Sequence, residues 1–288
     1  MNINNGNLLT PVLIRSPGGR SGTSLMMELL SSSSEIAFDR RHPYEVRMLS
    51  YFYRQSEAMY ATKEPGWAND LLVRGKLNSI GPIPVKTELI NDSSIFINNH
   101  FLSSWSTFSS EVMNNHTCGN GLLPKYYAEK IPHDILPAVS NIMRCKKIFL
   151  VRDPRAEFSS ILSFNEKRKS NLFGWQVDDT ASSFCSRFVS ARVRYFQMLD
   201  DIVEDESNMI VRYEDMVLSP IEVCKKLSQF LNVDITNVEV KKNITQNSVH
   251  MTSMDPASSI TKWKRHLPDD IVTYINSNLV LSNNLYSI

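Results

Sequence analysis

Pro11-Val12-Leu13-Ile14-Arg15-Ser16-Pro17-Gly18-Gly19-Arg20-Ser21-Gly22-Thr23-Ser24-Leu25-Met26-Met27-Glu28-Leu29-Leu30 places an apolar run, a glycine-rich turn and an amphipathic stretch in direct succession. Pro11 to Arg15 predicts a short buried strand. Thr23 to Leu30 predicts a helix with Leu25, Met26, Leu29 and Leu30 on one face. Strand, glycine turn and helix start together aim backbone N–H groups and the positive end of a helix at an anion. The ATP-binding form of such a loop carries Gly-Lys-[Ser/Thr], the lysine reaching the β- and γ-phosphates. Here Thr23 follows Gly22, and the basic group sits earlier, at Arg20, where it can still reach a terminal anion. The loop therefore suits a phosphate-bearing ligand that lacks a γ-phosphate.

The same alternation continues along the chain. Tyr44 to Ser79 and Ile95 to Val112 carry apolar and aromatic residues at helical spacing, punctuated by Gly81-Pro82-Ile83-Pro84. They read as a helical insertion over about residues 43–117. Beyond it, Tyr126 to Lys130 predicts a strand, Asp134 to Met143 a helix and Lys147 to Val151 a continuous apolar strand. A helix from Pro154 to about Phe164 follows, then a long amphipathic helix from Asp179 to about Val203. Met209 to Tyr213 is another buried strand, and Ser219-Pro220-Ile221-Glu222 opens a helix with Ser219 as its N-cap. Short apolar strands alternating with helices predict an α/β fold, a central parallel sheet in three layers, as one domain over residues 1–288.

A second motif is Ile148-Phe149-Leu150-Val151-Arg152-Asp153-Pro154-Arg155-Ala156-Glu157-Phe158-Ser159-Ser160. Arg152 falls at the C-terminal end of a strand, where ligands of open α/β sheets collect. Ser160, eight residues on, lies in the following helix. An arginine fork and a hydroxyl make a clamp for a second, separate phosphate; the competing reading pairs Arg152 with Asp153.

Global charge excludes other functions. Thirty-one basic residues against thirty acidic ones leave a net charge of +1, so no whole-protein field draws nucleic acid or a membrane surface. No run nears the ~20 apolar residues of a membrane span, and no secretory signal is visible, which makes the cytoplasm the expected location. Cys118, Cys145, Cys185 and Cys224 show neither metal-ligand spacing nor a disulfide framework, and read as reduced thiols. No carboxylate or histidine cluster converges, so no metal is expected.

The two motifs, in this order, resemble the 5′-phosphosulfate and 3′-phosphate signatures of sulfotransferases that use 3′-phosphoadenosine-5′-phosphosulfate (PAPS). Three further segments are similar to that family: Val211-Arg212-Tyr213-Glu214-Asp215-Met216-Val217-Leu218-Ser219-Pro220, Tyr127-Ala128-Glu129-Lys130-Ile131-Pro132, and Ser258-Ser259-Ile260-Thr261-Lys262-Trp263-Lys264, the last resembling a loop that closes over the cofactor. The pattern looks closest to the tyrosylprotein and bacterial branch.

The resemblance implies a P-loop NTPase-like fold and a single sulfotransferase domain whose helical insertion selects the acceptor. It implies transfer of a sulfuryl group from PAPS to a hydroxyl or amine acceptor by in-line displacement, leaving adenosine 3′,5′-bisphosphate (PAP). Gly19, Arg20, Ser21, Gly22, Thr23 and Ser24 would hold the 5′ end, Arg152 and Ser160 the 3′-phosphate, and Tyr213, Lys262 and Trp263 would neighbour the nucleotide. The acceptor must lose a proton, and the segment His42-Pro43-Tyr44-Glu45-Val46-Arg47 offers Glu45, with His42 and the Glu88 of Lys86-Thr87-Glu88 as rivals. Lys130 and Arg20 are the cations for charge that builds on the leaving oxygen. His100, His116, His133, His250 and His266 are expected to have structural or surface roles. A magnesium-dependent P-loop nucleotide kinase or NTPase, and a nucleotide-binding relative without chemistry, are the competing classes; affinity for PAP against ATP separates the first of these from a sulfotransferase.

Overall fold

In a computed structural model, residues 8–58, 92–115, 123–235 and 257–279 are described. Glu88, Cys118, His116, His250, the Gly81–Pro84 turn and residues 59–79 of the first expected middle helix lie outside them. The elements follow in the order β1 (Thr10–Arg15), α1 (Thr23–Leu30), β2 (Ile36–Ala37), α2 (Met48–Ala58), α3 (Ser93–Asn115), β3 (Tyr126–Lys130), α4 (Ile135–Ile142), β4 (Lys146–Val151), α5 (Pro154–Arg168), α6 (Ala181–Asp200), β5 (Asn208–Arg212), α7 (Tyr213–Leu218), α8 (Pro220–Leu231), α9 (Ser258–Thr261), α10 (Trp263–His266) and α11 (Asp269–Asn278). The five strands form one sheet in the order β2-β3-β1-β4-β5, with helices flanking it. Pairing is parallel, with Ile36 opposite Tyr126 and Val151 opposite Arg212.

The chain divides into two compact units, and β1 passes from one to the other after Val12. The unit of residues 1–12, 34–39 and 45–145 is built on aromatic packing between α2, α3 and β3. Phe101 and Trp105 are wholly buried, the Trp105 indole meets Tyr127 at 5.5 Å, and its Nε1–H donates to the Leu9 carbonyl at 3.2 Å. The unit of residues 13–33, 40–44 and 146–288 has its core where Phe158 and Ile161 of α5 meet Phe184 and Phe188 of α6 and Ile271 and Ile275 of α11. Cys145, Cys185 and Cys224 are buried free thiols.

Several boundaries differ from expectation for local reasons. The first middle helix starts at Met48, not Tyr44. Helix α5 continues to Arg168, its last turn carrying Lys167 and Arg168 against the helix dipole, and ends where Lys169 turns left-handed at φ 48°. Helix α6 begins at Ala181 because Thr180 and Ser183 form a reciprocal capping box. Tyr213 opens α7 and does not close β5. Ser219 precedes α8 as expected, but its side chain caps nothing. The segment Ser258 to Lys264 is two short helices, not a loop. On α1, Met27 is buried in the place expected of Leu25.

Candidate active site

Parallel pairing brings the C-terminal ends of β1, β4 and β5 to one edge of the sheet, where an α/β fold binds ligands. The loop after β1 turns on two residues of positive φ, Arg20 at 69° and Gly22 at 96°. At Gly22, which caps α1, a Cβ would lie 2.5 Å from the Tyr213 ring; at Gly19 it would lie 2.0 Å from the ring of Phe173. Both positions need glycine because aromatic rings close directly on the backbone. Thr23 and Ser24 start α1, whose first-turn N–H groups have no intrahelical acceptor.

The register opposing Val151 to Arg212 puts the next residues of each strand, Arg152 and Tyr213, at the same level. Arg152 is buried, its guanidinium 4.0 Å from the centroid of the Tyr213 ring. Its Nη1 donates to the Arg20 carbonyl at 2.5 Å and its Nη2 to the Ser259 carbonyl at 3.4 Å, while Nε is buried with no partner among the described residues. The pairing with Asp153 does not form. Asp153 instead accepts from the Arg155 backbone N–H at 2.8 Å, capping α5, and from Nη2 of Arg155 at 2.8 Å. Glu214 fixes the same corner by accepting the Asp153 N–H at 2.9 Å, and burial pushes its carboxyl up.

Arg20 joins this corner. Its Nε donates to Ser160 Oγ at 3.1 Å and its guanidinium lies 5.1 Å from the Phe164 ring. Burial first, and then the Arg152 guanidinium, lower the Arg20 pKa to about 10. Arg20, Arg152 and Ser160, read from sequence as belonging to two ends of a ligand, are thus assembled in one place. Two cations side by side, Arg152 buried and Arg20 half-buried, are an arrangement that a bound anion relieves.

The C-terminal helices complete this unit's site. The Tyr213 hydroxyl lies 2.9 Å from Ser259 Oγ, and Lys262 donates to Ser163 Oγ at 2.9 Å. Trp263 packs on the core and carries the Arg155 guanidinium at 4.1 Å. His266 places Nδ1 2.8 Å from Ser159 Oγ, and burial, followed by Lys262, lowers its pKa. Ser21, by contrast, is wholly buried, its hydroxyl 2.7 Å from Glu157 Oε1 and 2.8 Å from the Gly18 carbonyl.

In the other unit, Glu45 and Lys130 meet: Nζ donates to Oε1 at 2.6 Å, and Arg47 donates to Oε2 at 2.5 Å. Burial opposes the charge on Glu45, but the bonds and fields of Lys130 and Arg47 outweigh it and hold the carboxyl below its usual range. Burial also lowers the Lys130 pKa, against the pull of Glu45. Next to Lys130, Glu129 is wholly buried and accepts the Leu49 N–H at 2.9 Å and the Ser50 N–H at 3.1 Å, capping α2 from a distant strand. Of the rival bases, His42 is exposed with its ring edge-on to Tyr44. Among the described residues no group of three or more His, Cys, Asp or Glu is gathered to hold a metal, and no helix is long and apolar enough to cross a membrane.

Sequence reasoning missed Glu157, Arg192, Glu129 and Glu214 as contributors. A signal existed for the first two: each is a single charge, of opposite sign, on the apolar stripe of a long helix, Glu157 with Ile161 and Phe164, Arg192 with Phe188 and Tyr195.

The glycine loop, the buried Arg152 and the half-buried Arg20 thus stand together at the carboxyl edge of the sheet of an α/β protein. The sulfotransferase domain family model matches residues 10–277, and the chain belongs to that family. Protein-tyrosine sulfotransferase A of Caenorhabditis elegans is 23% identical over 272 residues, covering 90% of this chain and 62% of the relative. Cytosolic sulfotransferase 17 of Arabidopsis thaliana is 22% identical over 162 residues, covering 52% of this chain and 46% of the relative. The chain thus spans between 46% and 62% of the length of these curated relatives. The sulfotransferase domain from the curacin biosynthetic pathway superposes with a TM-score of 0.51 at 18% identity, covering 94% of this chain and 98% of that one. Mouse sulfotransferase SULT7A1 complexed with PAP gives 0.50 at 14% identity, covering 93% and 82%. The fold is the P-loop-like α/β fold of the sulfotransferases.

Proposed function

We propose that the chain is a PAPS-dependent sulfotransferase, one domain in which residues 43–117 form the acceptor-side insertion, acting without a metal on a hydroxyl or amine acceptor. The observation that carries this reading is the Arg20–Arg152–Ser160 cluster, with Arg152 and Ser160 buried, beside the loop of Gly19 and Gly22. The residues fit the nucleotide: Arg152 keeps a buried Nε with no partner among the described residues, at the carboxyl edge where the glycine loop ends. Arg152 and Ser160 hold the 3′-phosphate, the 18–24 backbone with Thr23 and Ser24 the 5′ end, and Tyr213, Lys262 and Trp263 flank the nucleotide.

PAPS supplies the sulfuryl group when bound. Glu45, kept ionised by Lys130 and Arg47, takes the acceptor's proton as the new bond to sulfur forms and the bond from sulfur to the PAP oxygen breaks. Lys130 and Arg20 offset charge on the departing oxygen. The relative named for protein tyrosine makes a phenolic hydroxyl the first acceptor to test, and the relative named as cytosolic supports a cytoplasmic setting.

Calorimetry tests the donor site. PAP is expected to bind without magnesium and more tightly than ATP with magnesium; the reverse order overturns the proposal in favour of a kinase or NTPase. Ser160→Ala is expected to weaken PAP. Glu45→Gln is expected to slow turnover by about 10²–10⁴, the usual share of a general base, with PAP affinity unchanged. A Glu45→Gln enzyme of normal rate hands the role to His42 or Glu88.

A further inference from the structure

We infer that Glu157 and Arg192 are positioning residues for the phosphate loop, acting through Ser21, whose hydroxyl anchors the loop to the fold and is not itself a ligand group. The inference rests on the proposed reading of that loop as the donor's 5′ site. Glu157 is wholly buried on α5 and Arg192 is 7% exposed on α6. Arg192 grips the carboxylate with two nitrogens, Nη2 to Oε1 at 2.5 Å and Nε to Oε2 at 3.2 Å, and its guanidinium lies 4.0 Å from the Phe188 ring centroid.

The same Oε1 receives Ser21. A serine hydroxyl has one proton to donate, and a charged carboxylate outcompetes the Gly18 carbonyl at similar distance for it. The oxygen is wholly buried, so the side chain faces the helices, leaving the loop to meet a ligand through its backbone. Arg192 presses on the loop a second time: a Cβ on Gly18 would lie 2.6 Å from its Nη2. A buried ion pair held at both carboxylate oxygens is a rigid post, and the loop is tied to it at Ser21 and packed on it at Gly18.

Ser160 stands three residues after Glu157 on α5, about 4.5 Å further along the axis. One helix therefore fixes both the 5′ loop, through Glu157, and the hydroxyl offered to the 3′-phosphate. Their separation is set by helix geometry and not by two independent loops.

A double-mutant cycle on PAP affinity decides between anchor and ligand. Ser21→Ala and Glu157→Gln are each expected to weaken PAP roughly tenfold, and the double variant no further than the weaker single, because residues acting through one network are not additive. Losses that multiply in the double variant, or a Glu157→Gln affinity equal to wild type, overturn the inference. Should Glu157→Gln fail to fold, Arg192→Lys, which keeps the charge and loses the two-nitrogen grip, takes its place in the cycle with the same expectation. Amide exchange over residues 18–22 without nucleotide reads the anchor directly: Ser21→Ala is expected to speed it, and unchanged exchange sinks the inference. If wild type itself fails to bind PAP, the functional proposal falls while the exchange result still judges the anchor.

Discussion

Glu157 and Glu129 are each wholly buried, one in each compact unit, but the structure answers their charges differently. Glu157 lies against the guanidinium of Arg192, with Ser21 as a third contact. Glu129 has no ion pair among the described residues: it caps the start of α2, taking the N–H groups of Leu49 and Ser50 and the Ser50 hydroxyl. Burial pushes the Glu129 carboxyl up to about 7, against the opposing pull of those bonds. The two devices differ in kind, a contacting cation against a set of N–H and hydroxyl donors. Dipoles at a helix start hydrogen-bond a carboxylate but do not match the field of a desolvated cation in contact with it. The two arrangements also serve different parts of the fold. The ion pair holds a loop rigid, while the cap fixes α2, which begins three residues after Glu45.

Breaking the paired case has the largest expected effect. Arg192→Ala strands the Glu157 charge in the core and should lower the unfolding free energy by about 3–5 kcal/mol in urea denaturation, the usual cost of removing one partner of a buried pair. A loss near zero would mean that Glu157 is not carrying a charge that needs its partner.

The unpaired case should show itself through pH. Folded Glu129 keeps its proton up to about pH 7, whereas an unfolded glutamate releases it near pH 4.3. Its stabilising contribution is therefore complete below the unfolded value and lost as pH rises through the folded one. Glu129→Gln mimics the protonated acid. Between pH 5 and pH 8 the variant should gain stability relative to wild type, by on the order of 3 kcal/mol at most. A pH-independent difference between the two proteins would break the comparison.

A smaller change sharpens it. Ser50→Ala removes one donor to Glu129 and should cost about 1 kcal/mol near neutral pH, moving the midpoint of that pH dependence upward. The exposed pair of Lys225 and Glu222 on α8 supplies the reference for charges that water already solvates. Lys225→Ala should change stability by less than about 0.5 kcal/mol in the same titration.

Much of the fold was readable one element at a time. The boundaries of α1 and β3 agree with the periodicity of their residues, and β1 and β4 differ by one residue at an end. Tyr213 was misassigned because an apolar run carries no mark of where strand gives way to helix. Ser258 to Lys264 was misassigned because its family likeness named a loop where local contacts build two short helices. The site divides in the same way. The glycine loop, Arg152 and Ser160 could be singled out because unusual residue types stand at fixed offsets from a strand end. That Arg20 turns to Ser160, and that Asp153 prefers Arg155, follows from which donors lie within reach after folding.

The sequence by itself determined that strands alternate with helices, that a glycine turn opens α1, and that an arginine follows β4, because periodicity, glycine and strand ends are properties of neighbours along the chain. Only the tertiary structure decided that Glu45 and Lys130 meet, that Ser21 turns inward to Glu157, and that of two buried glutamates one receives a guanidinium and the other a helix N-terminus. These are contacts between residues 35 to 136 positions apart, and what fixes them is the packing of helices against the sheet, which no local window of sequence contains.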